Sequence, residues 1–383
     1  MGLADLNINF MGQRKIAAVF SGLLLIASMF GIVTRGLNLG LDFSGGTLVE
    51  LEYAEDADLE QVRQVLRDNY VNNAIVVPFG SDKEVMVRFQ GAFAEVAEDK
   101  INATLAELIS PDAQITSVER MSAEYQHRIT INQPGLADRV SEILPPQTFG
   151  QIDIDNARDA TVLLLRNDLD NSMGDYLVKQ LATAAGFDVS KKRSEYVGPQ
   201  VGEELTESAT FGILTSLLVV MLYVAVRFQY KFSVGAVAAL AHDVIVVFGL
   251  FALFQWDFDL TVVAAVLATI GYSLNDTIVV SDRIRENFRK VRNRDALDII
   301  NQSLNQCVGR TMVTSLTTLL VLLALFFIGG ETIHNFSLGL IIGVLVGTYS
   351  SIYIAASVML AMKISKEDLI VPVKEGAEFD EVP

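Results

Sequence analysis

The chain has 383 residues, 51% of them hydrophobic and 20% charged, with a formal net charge of −17 and a single cysteine. One cysteine excludes an internal disulfide framework, and an acidic chain lacks the Lys and Arg surface that a nucleic-acid backbone requires. The apolar residues fall in long runs, the composition of a membrane protein.

The first run covers 16–34, behind Arg14 and Lys15. It is longer than a secretory h-region and no small-x-small cleavage site follows, so it is expected to remain as an uncleaved anchor. Next comes Gly40-Leu41-Asp42-Phe43-Ser44-Gly45-Gly46-Thr47. Two adjacent glycines permit positive φ where a helix exits into a strand. Without a Gly-Lys-Ser/Thr ending it is no phosphate loop, and Gly40, Asp42, Gly45 and Gly46 are expected to build a structural elbow.

Residues 37–207 hold 30 acidic and 14 basic side chains, about −16 of the net charge, which marks an external acidic domain. Its pattern predicts a strand at 47–53, a helix at 59–69, strands at 74–78 and 84–89, a helix at 94–108 and a strand at 115–121. This βαββαβ order is that of a split-βαβ, ferredoxin-like unit. The order runs again through strand 128–132, helix 136–144, strands 150–154 and 160–166, helix 173–185 and strand 188–196. Both copies close alike, on Ser117-Val118-Glu119-Arg120 and Ser194-Glu195-Tyr196-Val197. The expectation is a tandem duplication with units 36–121 and 122–207; the alternative is one larger α+β domain with an insertion. Val197-Gly198-Pro199-Gln200-Val201-Gly202 then leads into the second apolar run.

Five further runs, 208–226, 232–254, 260–280, 308–328 and 336–362, bring the candidate spans to six, each near the roughly 20 residues a bilayer needs. Arg283, Arg285, Arg289, Lys290, Arg292 and Arg294 cluster between spans four and five; Arg227 and Lys231 lie between two and three, and Lys363 and Lys366 follow span six. The excess of cations places these loops and both termini in the cytoplasm, residues 1–35 being the cytoplasmic N-terminus with span one and 363–383 the cytoplasmic tail. The expected class is an α-helical multi-pass membrane protein, a six-span bundle (span one with 208–362) carrying an external, duplicated, ferredoxin-like α+β domain.

Three ionisable residues sit inside these runs. Asp243 lies beside His242 near the middle of span three, Asp276 near the end of span four, and Arg310 at the start of span five, followed by Thr314, Thr317 and Thr318. A charge at membrane depth costs roughly 2.5–3.5 kcal/mol on insertion scales, so such residues need partners or water and mark ion or proton paths by default. Asp276 and Arg310 could meet across antiparallel helices, with Tyr272, Ser273 and Asn275 as polar company. A neighbouring cation favours an ionised carboxylate and burial a neutral one, so a carboxyl balanced between them can change protonation as helices move. A static buried pair is the bland alternative. For Asp243, a relay station and a polar helix–helix contact remain equally open. Gly339, Gly343 and Gly347 in span six form a small-residue ridge for close helix packing, within the chain or with a partner. His127 and His334 lack metal-ligand spacing, so no metal is expected, and Cys307 reads as a packing residue.

These residues together resemble the SecF family, the membrane subunits of bacterial SecD–SecF protein-export complexes. The resemblance is carried by the Gly40–Thr47 elbow, by Val197–Gly202 with Gly198 and Pro199, by Ala241-His242-Asp243, and by the run Ile270-Gly271-Tyr272-Ser273-Leu274-Asn275-Asp276-Thr277-Ile278-Val279-Val280-Ser281-Asp282-Arg283-Ile284-Arg285-Glu286-Asn287. It implies one half of a pseudo-symmetric RND-type bundle in the inner membrane, with SecD as the other half. It also implies a non-enzymatic role, in which proton flow moves the periplasmic domain and helps draw preproteins out of the SecYEG channel. Protons are then the only cofactor; YajC and YidC are further expected partners, beside the lipid bilayer. The family pattern assigns the proton path to Asp276 and Arg310, and includes Asp243. The family's external domain is usually about one βαββαβ unit, whereas the pattern here carries two.

Two rival functions fit less well. A proton-driven small-molecule exporter of RND type would carry two six-span halves. An intramembrane aspartyl protease would place Asp243 and Asp276 on adjacent spans, but Asp276 follows Ser-Leu-Asn instead of Gly-x-Gly, and a nearby Arg310 would oppose the shared proton of a dyad.

Overall fold

Polar capping and apolar run length set the elements of the computed structural model, which describes residues 8–121, 125–166, 168–227, 230–291 and 294–365. Arg292 and Lys366, counted above among the cytoplasmic cations, lie outside the described residues, as does the tail beyond Ser365. In chain order the elements are α1 (Arg14–Arg35), β1 (Asn38–Leu39), α2 (Leu41–Ser44), β2 (Gly46–Tyr53), α3 (Leu59–Asp68), β3 (Ile75–Phe79), β4 (Ser81–Phe89), α4 (Phe93–Leu108) and β5 (Ile115–Arg120). They continue with β6 (His127–Ile131), α5 (Val140–Ile143), α6 (Pro146–Phe149), β7 (Ile152–Asn156), β8 (Thr161–Leu165), α7 (Leu169–Ala185) and β9 (Val189–Val197). The last set is α8 (Pro199–Arg227), α9 (Tyr230–Phe254), β10 (Asp257–Phe258), α10 (Leu260–Lys290), α11 (Ala296–Ile328), α12 (Glu331–Ser350) and α13 (Ala356–Ala361). Two compact units result, Met1–Gly40 with Glu207–Pro383, and Leu41–Thr206.

The unit Leu41–Thr206 is the acidic one. Asp58 caps α3 by accepting from the Glu60 and Gln61 amides, and Asp168 caps α7 through the Asp170 amide, each satisfying amides that a helix start leaves orphaned. β2 alternates, burying Val49, Leu51 and Tyr53, as a strand covered on one face does. Two four-stranded antiparallel sheets form, ordered β3-β4-β2-β9 and β5-β6-β8-β7. One core runs beneath both, from Val49 and Phe89 through Ile101 and Leu105 to Leu163 and Leu177.

The strands predicted from sequence are all present, but their grouping differs. β5, which follows α4, pairs with β6; β9, which follows α7, pairs with β2 along its whole length. The fourth strands of the two repeats are exchanged, so the division at 121/122 into two sequential units gives way to two interlocked ones. Charge complementarity agrees with this pairing. On β9, Lys192 faces Glu52 and Glu84 and Arg193 faces Glu50 at 3.4 Å; the bond from Lys192 holds the Glu84 carboxyl below the usual carboxylate range. On β5, Glu119 stands opposite Arg128 of β6. Such exposed pairs add little energy individually, but unlike charges directly across a ladder favour one partner and register over another.

Among the described residues, the unit Met1–Gly40 with Glu207–Pro383 holds six helices long and apolar enough to cross a membrane. Burial ranks them. The most apolar window is 56% buried in α9 and in α10 but 6% buried in α8, so α9, α10 and α12 form the inner layer, and α1, α8 and α11 present apolar outer faces. Gly31 lies against Leu253 and Gly249 against Ser28, the close approach of α1 to α9 that small residues allow. β1 pairs in parallel with β10, and the Gly40 amide donates to the Phe258 carbonyl at 2.8 Å. α10 continues ten residues beyond its apolar run. The pairs Asp282–Arg285, Arg283–Glu286 and Glu286–Lys290 at i,i+3 and i,i+4 support that extension. Between α12 and α13, Ser351–Ala355 makes a π-helical turn.

Because β9 completes the first sheet, a fragment spanning 41–121 is expected to remain without a cooperative melt by circular dichroism, whereas 41–206 melts cooperatively. A cooperative transition in the short fragment would contradict the exchange.

Candidate functional site

Asp243 is 1% exposed, on the buried face of α9. Ser273 of α10 donates to its Oδ2 at 2.6 Å and Ser350 of α12 donates to the same oxygen at 2.8 Å. His242 Nδ1 lies 3.1 Å from Oδ1. A buried carboxylate costs free energy unless it is hydrogen-bonded, and here three inner helices each supply a group. The His242 ring faces Tyr349 at 6.3 Å between centroids, and the Tyr349 hydroxyl reaches Ser21 and the Ala17 carbonyl of α1. These bonds make a polar contact between helices at Asp243.

Asp276 is treated in the opposite way. It is 3% exposed, and its Oδ2 has no hydrogen-bond partner. The polar residues expected around it are occupied elsewhere: Ser273 with Asp243, Tyr272 with Ser315 of α11 at 3.2 Å, while Asn275 is exposed. Thr277, also buried, has an unpartnered hydroxyl of its own. Ser273 and Asp276 lie three residues apart, on one face of α10, but the single hydroxyl proton of Ser273 is committed to Asp243. Thr314, Thr317 and Thr318 bond to carbonyls of their own helix.

α10 and α11 are packed neighbours, yet the expected direct contact between Asp276 and Arg310 is not made. Arg310 is exposed and lines a cavity with Arg227 and Arg283, near enough for its charge to act on Asp276 without a hydrogen bond between them.

The glycine ridge explains how the inner helices come close enough for these bonds. A Cβ on Gly339 would stand 3.2 Å from Ala265 Cβ, one on Gly343 would overlap Thr269, and one on Gly347 would stand 2.9 Å from Ser273 Cβ. Residues four apart on α12 therefore seat against residues four apart on α10, and the packing is internal to the chain. Gly347 brings α12 onto Ser273, and Ser350 one turn on reaches Asp243. Ser350 and Tyr349 are site residues that sequence reading missed.

In the acidic unit, Gly45 and Gly46 have φ of +65° and +114°, a region that L side chains avoid. A Cβ on Gly46 would collide with the Phe89 carbonyl, and one on Gly45 would lie 3.1 Å from Pro199 Cα. Gly202 in turn sits under the Phe43 carbonyl. The elbow and the Gly198–Pro199 segment, distant in sequence, form one joint; Asp42 lies within it, half-buried. Gly40 belongs to the other unit, against Asp259 Cβ at 3.0 Å.

A six-helix apolar bundle that buries two carboxylates, together with an α+β unit, defines a multi-pass membrane protein. Residues 177–365 match the family model described as protein export membrane protein SecD/SecF, C-terminal, and residues 30–57 match the SecD/SecF GG motif. The protein translocase subunits SecF of Vibrio alginolyticus and Pseudomonas aeruginosa are both 39% identical, over 99% and 96% of this chain and 98% and 95% of their own lengths. That of Haemophilus influenzae is 36% identical over 98% of this chain and 91% of its own length. The crystal structure of SecDF, a translocon-associated membrane protein from Thermus thermophilus, superposes on 95% of this chain with a TM-score of 0.68 at 30% identity. The chain spans 40% of that SecDF chain. This protein belongs to the SecF family of protein translocase subunits.

Two substitutions probe this geometry. Gly46→Val is expected to destabilise the acidic unit by about 2 kcal/mol or more, the scale of a forced backbone outlier with a steric clash, read by denaturant unfolding of 41–206. Gly343→Val is expected to lower the thermal midpoint of the detergent-purified chain, by overpacking worth roughly 1–3 kcal/mol; an unchanged midpoint would mean that α12 does not seat on α10 in this register.

Proposed function

We propose that the chain works as a proton-coupled accessory subunit of the Sec translocase in the bacterial inner membrane. The observation that carries the reading is Asp276, a carboxylate buried in an apolar bundle without a hydrogen-bond partner for Oδ2. A carboxyl with no fixed donor can take up and release a proton at little structural cost, whereas one held by three groups cannot. Asp276 is thus the cycling group, Arg310 is its electrostatic partner at a distance, and Asp243 is a fixed station that ties α9, α10 and α12 together.

The orientation follows the cation distribution: both ends of the chain and the Arg227–Lys231 and Arg283–Arg294 loops in the cytoplasm, the acidic unit in the periplasm. The match to two-fifths of a longer SecDF chain supports SecD as the second half of the bundle. A preprotein leaving the SecYEG channel is the substrate on which the periplasmic unit acts, with YajC and YidC as associated membrane partners and no resident cofactor beyond the proton. Movement is passed from the bundle through α1 and the Gly45–Gly46 joint, and through α8, the other chain connection.

Export of a secreted reporter in cells carrying Asp276→Asn tests the reading, with membrane levels of the protein checked. The expected outcome is normal insertion with loss of most export. Arg310→Lys is expected to restore little, because a compact ammonium does not reproduce the guanidinium's reach and hydration. Normal export by both variants at normal protein level would make Asp276 a structural residue.

A further inference from the structure

A cavity of about 350 Å³ opens where α8 ends, along the last part of α10 and the first half of α11. Its wall carries three guanidiniums, Arg227, Arg283 and Arg310, beside Tyr223, Ile278 and Val279. Two carboxylates also line it, Asp282 and Glu286. Both are already held by cations: Asp282 by Arg285 at 2.8 Å, and Glu286 by Arg283 at 2.8 Å and Lys290 at 2.5 Å. The lining thus carries three guanidiniums against two carboxylates, and Arg285 and Lys290 bond those carboxylates from beside it.

The volume falls in the range of small-ligand sites, roughly 300–1,000 Å³. A guanidinium fork matches a phosphate geometrically and electrically. The surroundings distinguish a lipid from a free anion. The two outer helices that contribute to the cavity carry exposed apolar side chains within a few turns of it, Leu218, Leu222 and Val226 on α8 and Val313 and Leu316 on α11. A free phosphate has no use for such a surface; acyl chains do. Basic pockets between membrane helices at the bundle end suit anionic headgroups for this reason.

We propose that this cavity binds the phosphate-bearing headgroup of an anionic phospholipid, with Arg227 and Arg283 on the phosphate and the acyl chains along α8 and α11. On the orientation proposed above, the lipid belongs to the cytoplasmic leaflet; binding itself does not depend on that orientation or on proton coupling. A headgroup there is a counter-ion for Arg310, so that lipid composition sets the field that Arg310 exerts on Asp276.

The full chain, purified in neutral detergent, is titrated with dihexanoyl phosphatidylglycerol, with dihexanoyl phosphatidylcholine and with inorganic phosphate at matched ionic strength. Binding is read by native mass spectrometry and thermal shift. The expected result is one saturable phosphatidylglycerol per chain, phosphatidylcholine weaker by about tenfold, and no shift with inorganic phosphate. Arg227→Gln with Arg283→Gln is expected to weaken phosphatidylglycerol by about tenfold or more, the scale of lost charge-assisted hydrogen bonds, while Arg289→Gln leaves it unchanged. If the double variant fails to fold, Arg227→Gln alone carries the comparison. Equal binding of the two lipids, binding indifferent to the arginine variants, displacement of the lipid by inorganic phosphate, or loss of binding when the chain is purified with its second six-span subunit would each overturn the proposal.

Discussion

A carboxylate inside a bundle of apolar helices must be hydrogen-bonded, paired, or able to take up a proton. Much of the arrangement of the inner helices follows from how this chain meets that constraint twice, with opposite solutions. Asp243 receives Ser273, Ser350 and His242 from three directions, and so joins α9, α10 and α12. Asp276, one turn along α10 from Ser273, is left with an oxygen that nothing satisfies. The well-bonded carboxylate ties three inner helices together, and the other is buried with an oxygen that has no hydrogen-bond partner.

Hydroxyl-to-carboxylate bonds of 2.6–2.8 Å require helix backbones to approach more closely than Leu or Phe would allow. The glycines of α12 provide that approach, seated against Ala265, Thr269 and Ser273. Packing and polar chemistry are thus one design. In lipid there is little hydrophobic gain from bringing helices together, so small residues and interhelical hydrogen bonds carry the association. The π-helical turn at Ser351–Ala355 falls directly after Ser350, a position where such turns recur at functional sites.

The acidic unit shows a different economy. Its two βαββαβ repeats exchange their last strands, so that neither sheet closes without the other and the pair folds as one body around a shared core. The elbow glycines and the Gly198–Pro199 segment meet at the base of the first sheet, where both chain connections to the helical unit leave.

Run length, charge and period were legible in the sequence by themselves. They determined the six spans, the acidic insertion, the presence and kind of its predicted strands and helices, and the ionisable residues Asp243, Asp276 and Arg310, because hydropathy and the cost of burying charge act locally along the chain. The tertiary structure alone decided which strands pair, since charge complementarity between Lys192 and Arg193 on one strand and Glu50, Glu52 and Glu84 on others has no signature at fixed spacing. It alone decided that Ser273 serves Asp243 rather than Asp276, and that Arg310 turns to a cavity with Arg227 and Arg283 instead of bonding Asp276. Which hydroxyl meets which carboxylate, and where a long side chain turns, depend on neighbours brought together from distant parts of the chain, and these a one-dimensional pattern does not contain.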